Sequence, residues 1–309
     1  MRICFISPWA TSIFFPDSSF KAGGAEIQFS FFSRKLARMK DFEVHCIVHG
    51  DAARPGEIKE DVSIHFVPFV PGLYAKFKLQ MVMNKINADV YLQQGIGSVT
   101  KEVAFFCRMR RKRFLYWIAH DKDVDPAVDL PGLVRNRWFE WGMLKADRII
   151  AQTRRQAHAL KQNFGRDCEI IPNVFPMTSR PPDTERKGLL WVARLEAFKR
   201  PELFIDLAKS IPEEEFTLIG PIAGEESMHL FEKLKGRLET TPNLHYIPGI
   251  PHPEVQDYFN KAKVFVNTSV SEGYPNTFIQ AMLGGTPIAT LAFDPDGIVK
   301  EHALGISGG

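Results

Sequence analysis

Short apolar runs rich in β-formers alternate with longer helical patterns along almost the whole chain, which leaves few folds open: parallel sheets with both faces covered by helices. A strand buried on both faces is apolar almost without a break, as VFVN (264–267) and FLYWIA (114–119) are. Two such series follow one another. The first places strands at Arg2–Ser7, Glu43–Val48, Ser63–Val67, Asp89–Gln93, Phe114–His120, Arg148–Gln152 and Glu169–Ile171. Helices fill most of the gaps, among them Leu133–Lys145, Arg154–Asn163 and one after the first strand with Ile27, Phe31 and Leu36 near one face. The second series has strands at Leu189–Val192, Phe216–Ile219, Leu244–Ile247, Val264–Asn267 and Pro287–Thr290, with helices near Arg200–Ser210, Glu225–Glu239, Pro253–Lys261 and Asn276–Leu283. Between the series lies Asn173–Lys187, polar and carrying Pro176, Pro181 and Pro182, which reads as a linker. The expected plan is a Rossmann-like domain over 1–174, a linker over 175–187 and a second Rossmann-like domain over 188–309.

Composition narrows the function. A net charge of +3 over 309 residues is too small to predict a nucleic-acid partner, although Arg108, Arg110, Arg111, Lys112 and Arg113 concentrate positive charge. That run reads as a solvated helix end, and a peripheral contact with an anionic membrane stays open for it. Cys4, Cys46, Cys107 and Cys168 are far apart, form no CxxC pair and suit reduced core thiols of a cytoplasmic protein. Pro8 and Asp17 break the first apolar run too early for a signal peptide, and no stretch approaches the ~18 apolar residues of a membrane span.

In open parallel sheets ligands bind beyond the C-terminal strand ends, where loops enter helix N-termini. The segment SEGYPNTFIQAMLGGTPI (271–288) sits at such a place, after VFVN. Pro275 suits the first turn of a helix whose free N–H groups can hold a diphosphate. Position 280 follows Glu272 by eight residues, so the two side chains address different parts of one extended ligand, and Gly284, Gly285 and Pro287 stop the helix. A second segment, WVARLEAFKRPELFIDLA (191–208), puts Arg194 and Lys199 after a strand. In the first half KAGGAE carries Gly23 and Gly24 into a helix; GxGxxG is absent, and Gly95 and Gly97 do not complete it. His120, followed by Asp121, closes the FLYWIA run at a site position of the sheet.

The two C-terminal segments resemble those of the retaining glycosyltransferases of the GT-B fold, the family-four or group-one type. That signature is matched by Glu272, Gly273, Pro275, Asn276, Ala281, Met282, Gly285 and Pro287, with Gln280 where a second Glu is usual. The resemblance implies two Rossmann-like domains facing across a cleft, with the acceptor side in the first and the donor side in the second. It further implies that Glu272 contacts the donor sugar, that position 280 binds the ribose, and that Arg194 and Lys199 grip the diphosphate. The donor-binding set it points to is Arg194, Lys199, Gly273, Tyr274, Pro275, Asn276, Thr277 and Gln280, with Gly23 and Gly24 near the phosphates or acceptor; the catalytic residues it points to are Glu272 and His120, the histidine contacting the donor sugar or orienting the acceptor. Ala193 replaces the common Gly. Gln280 can accept a ribose hydrogen bond but cannot be a carboxylate base, which excludes a glycosidase-like carboxylate pair. Asn173 matches a structural Pro-Asn at the crossover.

The implied reaction is transfer from a nucleoside-diphosphate sugar to a glycan or lipid-linked acceptor in polysaccharide or glycolipid synthesis. It would proceed with retention and with no metal or cofactor beyond the donor, in the cytoplasm or at the inner face of the membrane. Two other readings stand beside it, a sugar-nucleotide epimerase and a noncatalytic nucleotide-sugar binder. The family continues past the Gly-x-Pro element through further sheet and helices, so the C-terminal portion is expected to be truncated at Gly309.

Overall fold

The computed structural model describes residues 1–18, 20, 22–51, 53–70, 72–97, 99–128, 136–176 and 185–308. Two compact units emerge, Met1–Val174 and Phe175–Gly309. Most of the anticipated linker, including Pro181 and Pro182, lies outside the described residues, as do Lys21, Leu133 and Gly309.

Unit 1 runs β1 (Arg2–Ile6), α1 (Thr11–Phe14), α2 (Gly24–Ala37), β2 (Glu43–His49), β3 (Glu57–Lys59), β4 (Val62–Val67), α3 (Leu73–Ile86), β5 (Val90–Gln94), α4 (Thr100–Arg110), β6 (Arg113–Trp117), α5 (Arg137–Leu144), β7 (Arg148–Ala151), α6 (Arg154–Phe164) and β8 (Glu169–Ile170). Its sheet has the order β3-β4-β2-β1-β5-β6-β7-β8, parallel throughout except for the edge strand β3. Successive residues of β1 face opposite ways: Cys4 and Ile6 enter one core, Ile3 and Phe5 the other. Both faces are therefore filled, as the unbroken apolar runs require.

Unit 2 runs β9 (Leu189–Val192), α7 (Pro201–Ser210), β10 (Phe216–Ile219), α8 (Glu225–Glu239), β11 (Leu244–Ile247), α9 (His252–Lys261), β12 (Val264–Asn267), α10 (Asn276–Gly284), β13 (Ile288–Thr290), α11 (Ile298–Glu301) and β14 (Gly305–Ser307). The order is β11-β10-β9-β12-β13-β14, all parallel. Leu190 and Phe265 face one core, Trp191 and Val266 the other. Each unit is thus a Rossmann-like parallel sheet between helices.

Several expectations need correction. The strand expected over Phe114–His120 ends at Trp117, because Asp123 turns the chain: its Oδ2 accepts from the Ala119 N–H and the Tyr116 hydroxyl, both at 2.9 Å. In α2 it is Phe29, Phe32 and Leu36 that meet the sheet, with the Phe32 ring tilted against Trp117 at 4.8 Å, while Ile27 and Phe31 stay half-buried. The charged β3 and the short β14 carry no apolar run and were not anticipated.

Two polar clasps complete unit 1. The fully buried Gln28 amide makes both hydrogen bonds with the Val174 backbone, at 2.9 Å each, and Asn173 accepts from Gln152 Nε2 at 3.0 Å. Asn173 is thereby structural. Cys4, Cys46 and Cys107 are buried free thiols, with burial pushing Cys46 and Cys107 up to about 12, and Cys168 is half-buried. Among the described residues no helix is long and apolar enough to cross a membrane.

Candidate functional site

A parallel sheet opens a crevice where the chain leaves neighbouring strands in opposite directions. In unit 2 that point lies between β9, whose successor β10 is on one side, and β12 on the other. Lys199 comes from the loop after β9 and Glu272 from the loop after β12, and the two meet at 2.5 Å with side-chain exposures of 13% and 12%. Either side chain alone would be costly to desolvate, and the pairing offsets that cost at the crevice. The Lys199 ammonium also lies 4.8 Å from the Phe198 ring centre.

Thr268, which the sequence did not single out, fixes these loops to each other. Its buried hydroxyl accepts from the Trp191 indole N–H at 2.9 Å and donates to the Lys199 carbonyl at 2.6 Å, while the Val270 N–H reaches the Phe198 carbonyl at 3.0 Å. Thr268→Val keeps the shape but strands an indole N–H and a carbonyl. The expected result is a loss of roughly 2 kcal/mol in urea unfolding, with Thr268→Ser restoring most of it. Equal stability of the valine variant and the parent would remove Thr268 from this role.

Gly273 and Pro275 are buried, and Tyr274, Asn276 and Thr277 half-buried, as the chain enters α10. Pro275 stands at the N-cap, one residue before the expected first turn, and the first turn carries no acidic side chain and no side-chain cap. Its N–H groups and dipole therefore favour an anion. Burial, then the charge of Asp296, pushes the Tyr274 phenol up. Gln280 is 3% exposed; its backbone carbonyl accepts from Gln256, and its side chain makes no hydrogen bond among the described residues. Gly285 ends α10 at φ 62, a left-handed conformation suited to glycine, and Arg186 ties the Gly284 carbonyl to Thr286. Arg194, on the β9 loop, is about half-exposed and pairs with Glu196 at 3.0 Å.

In unit 1 the corresponding crevice lies between β1 and β5. It holds a cavity of about 460 Å³ lined by the ends of β1, β2, β4 and β5 and by α2 and α3, including Trp9, Glu26, His49, Phe69, Gln93 and Gln94. Trp9, His49 and Phe69 pack edge to face at 4.9–5.3 Å. Among the described residues His49 Nδ1, Gln93 Oε1 and the Gln94 amide are buried without a hydrogen-bond partner, which suits a polar ligand in an apolar chamber.

Gly23 and Gly24 open α2. Gly23 is extended at φ −112 and its N–H donates to Glu26 Oε2 at 2.8 Å, so the carboxylate already caps α2. His120 is the N-cap of a short 3-10 turn over Asp121–Asp123, and its Nδ1 accepts from the Lys122 N–H at 3.3 Å. The neutral ring therefore carries its proton on Nε2. Asp121 is buried and pairs with Arg155 at 3.2 Å, and burial pushes Asp123 up to about 7. Among the described residues no group of three or more His, Cys, Asp and Glu side chains is placed to hold a metal ion.

Residues 177–304 match the family described as glycosyl transferases group 1. A D-inositol 3-phosphate glycosyltransferase of Streptomyces bingchenggensis is 27% identical over 169 residues, 46% of this chain and 37% of that protein. One from Nocardiopsis dassonvillei is 29% identical over 189 residues, 53% of this chain and 44% of its relative. The matched stretch thus spans less than half the length of these relatives. Among solved structures, Anabaena HepE in complex with UDP and glucose has a TM-score of 0.73 at 16% identity, covering 97% of this chain and 82% of that one. Sucrose-phosphate synthase from Thermosynechococcus elongatus has a TM-score of 0.72 at 15% identity, covering 97% and 83%. At these identities the likeness is one of fold. The segment that matches the group 1 glycosyl transferases encloses both loops of the Lys199–Glu272 crevice.

Proposed function

We propose that the chain moves a sugar from a nucleoside-diphosphate sugar to an acceptor with retention at the anomeric carbon. The observation that carries this reading is the Lys199–Glu272 pair at the β9/β12 crevice, beside the N-terminus of α10, whose first turn carries no acidic side chain. Negative charge accumulates on the departing diphosphate, and Lys199, Arg194 and the α10 N–H groups are the groups that stabilise it, without a metal. Glu272 exchanges its lysine for hydroxyls of the donor sugar, and Gln280 offers its amide to the ribose. The His120 Nε2–H is a donor for the sugar. No side chain serves as nucleophile; the leaving phosphate takes the acceptor proton on the face it departs from. The unit 1 cavity is the acceptor site, suited to a polysaccharide or glycolipid intermediate.

Because a neighbour was solved with UDP-glucose, UDP-sugars come first in a thermal-stabilisation screen. A true donor at ~100 times its dissociation constant adds about 2.7 kcal/mol. The product anomer is then read by NMR: a product inverted relative to the donor, or no stabilisation by any nucleotide sugar, removes this reading. Gln280 and Ala193 favour one second reading, a noncatalytic binder, which gives stabilisation but no product with any acceptor.

A further inference from the structure

A surface helix ordinarily turns one apolar face inward and a polar face outward. Helix α3 does not. Leu79, Met83 and Ile86 enter the core, yet Leu73, Phe77 and Met81 form a second stripe, at four-residue spacing, that is 85%, 62% and 49% exposed. Phe69, Val70 and Tyr74 extend it, each about half-exposed. The helix carries Lys76, Lys78 and Lys85 and no acidic residue.

The adjoining end of α4 has the same character. Glu102 ties the helices together, its carboxylate pairing with Lys76 at 2.5 Å and its carbonyl accepting from Gln80 at 2.9 Å. Phe105 and Met109, three and seven residues on and so on the same flank of α4, are exposed, and Arg108, Arg110 and Arg111 surround them. Glu102 is 9% exposed and already paired, so the rim of the stripe presents cations.

We propose that this α3–α4 face docks on an anionic lipid bilayer. Leu73, Phe77, Met81, Phe105 and Met109 enter the headgroup–acyl boundary, and the lysines and arginines meet lipid phosphates, their stems along the apolar surface. A protein partner would need a complementary acidic rim. A bilayer supplies apolar depth and negative charge at once. The inner side of the same helix, through Ala75, Lys76 and Leu79, walls the unit 1 cavity. Docking therefore brings that wall to the headgroups, which favours acceptors held in the membrane; this last step rests on the transferase reading, whereas docking does not.

The test is co-sedimentation of the full chain with phosphatidylcholine vesicles, with and without phosphatidylglycerol. The expected result is binding that requires phosphatidylglycerol, weakens with salt, and falls at least about tenfold in Leu73→Glu/Phe77→Glu, since each buried apolar side chain contributes more than a decade in partition. Arg108→Gln/Arg110→Gln should reduce both affinity and salt sensitivity. Melting temperature and UDP-sugar stabilisation of the Leu73/Phe77 variant should match the parent, because neither residue lines the cavity or the crevice. Unchanged vesicle binding by that folded variant overturns the proposal, as does no binding of the parent to anionic vesicles. A parent dimer that the variant converts to monomer, without vesicle binding, assigns the face to a second copy and overturns it too. The sugar-nucleotide screen decides the transferase reading separately.

Discussion

Lys199→Ala and Glu272→Gln are expected to fail in different ways, although the two residues form one ion pair. On the proposed reading, removing Lys199 takes away the cation that meets the diphosphate and leaves the Glu272 carboxylate, 12% exposed, without its lysine. UDP affinity and kcat/KM should then both fall, the latter by between about a hundredfold and a thousandfold. Removing the charge of Glu272 does the opposite to the nucleotide. Lys199 becomes an uncompensated cation in a crevice where its partner is 12% exposed, so UDP should bind as tightly as before or more tightly, while transfer falls through loss of the sugar contact. Titration calorimetry with UDP, paired with turnover, separates the two. If both variants lost UDP binding equally, the pair would be a structural bridge and not a divided donor site. The ligand-free proteins add a check: the stability lost in the double Lys199→Ala/Glu272→Ala should be smaller than the sum lost in the two alanine singles, because the side chains form one pair at 2.5 Å.

Much of this site was legible in the sequence because its two loops follow fully buried strands. VFVN admits no reading but an interior strand, so Glu272 had to fall at a C-terminal strand end, and the same holds for Arg194 and Lys199 after LLWV. Thr268 was not legible: one hydroxyl after a strand looks like any loop threonine, and its role exists only because Trp191 and the Lys199 carbonyl converge on it in space. Gly23 and Gly24 show how a local partner can be overlooked. A Gly-Gly turn before a helix draws attention to phosphate, and the local reading passed over Glu26 three residues on, whose carboxylate accepts from the Gly23 N–H. The double-sided character of α3 was hidden as well. An apolar residue at nearly every second or third position satisfies the helical period twice, and only packing reveals which stripe the core takes and which it leaves outside.

The loop that ends at His120 should make itself felt in stability against pH. Asp123 is 1% exposed, and burial, only partly offset by the Ala119 N–H and the Tyr116 hydroxyl, raises its carboxyl to about 7. Below about pH 4 the carboxyl is protonated in folded and unfolded chains alike and contributes no pH dependence. Between about 4 and 7 the unfolded chain ionises while the folded one keeps its proton, so the unfolded state binds fewer protons and stability falls as pH rises. Over that window Asp123 alone should remove on the order of 4 kcal/mol, levelling off above pH 7. Asp123→Asn keeps an oxygen for the Ala119 and Tyr116 donors and carries no titratable group. Its urea-unfolding free energy should therefore be flatter from pH 4 to 7 and exceed that of the parent at pH 8, with UDP binding retained because the His120 turn is preserved. Asp123→Leu, which strands the Ala119 N–H and the tyrosine hydroxyl, should instead be less stable than Asp123→Asn at every pH. Parallel pH profiles for the parent and Asp123→Asn would show that Asp123 is ionised in the folded chain throughout, and that the turn is held by a charge and not by a shared proton.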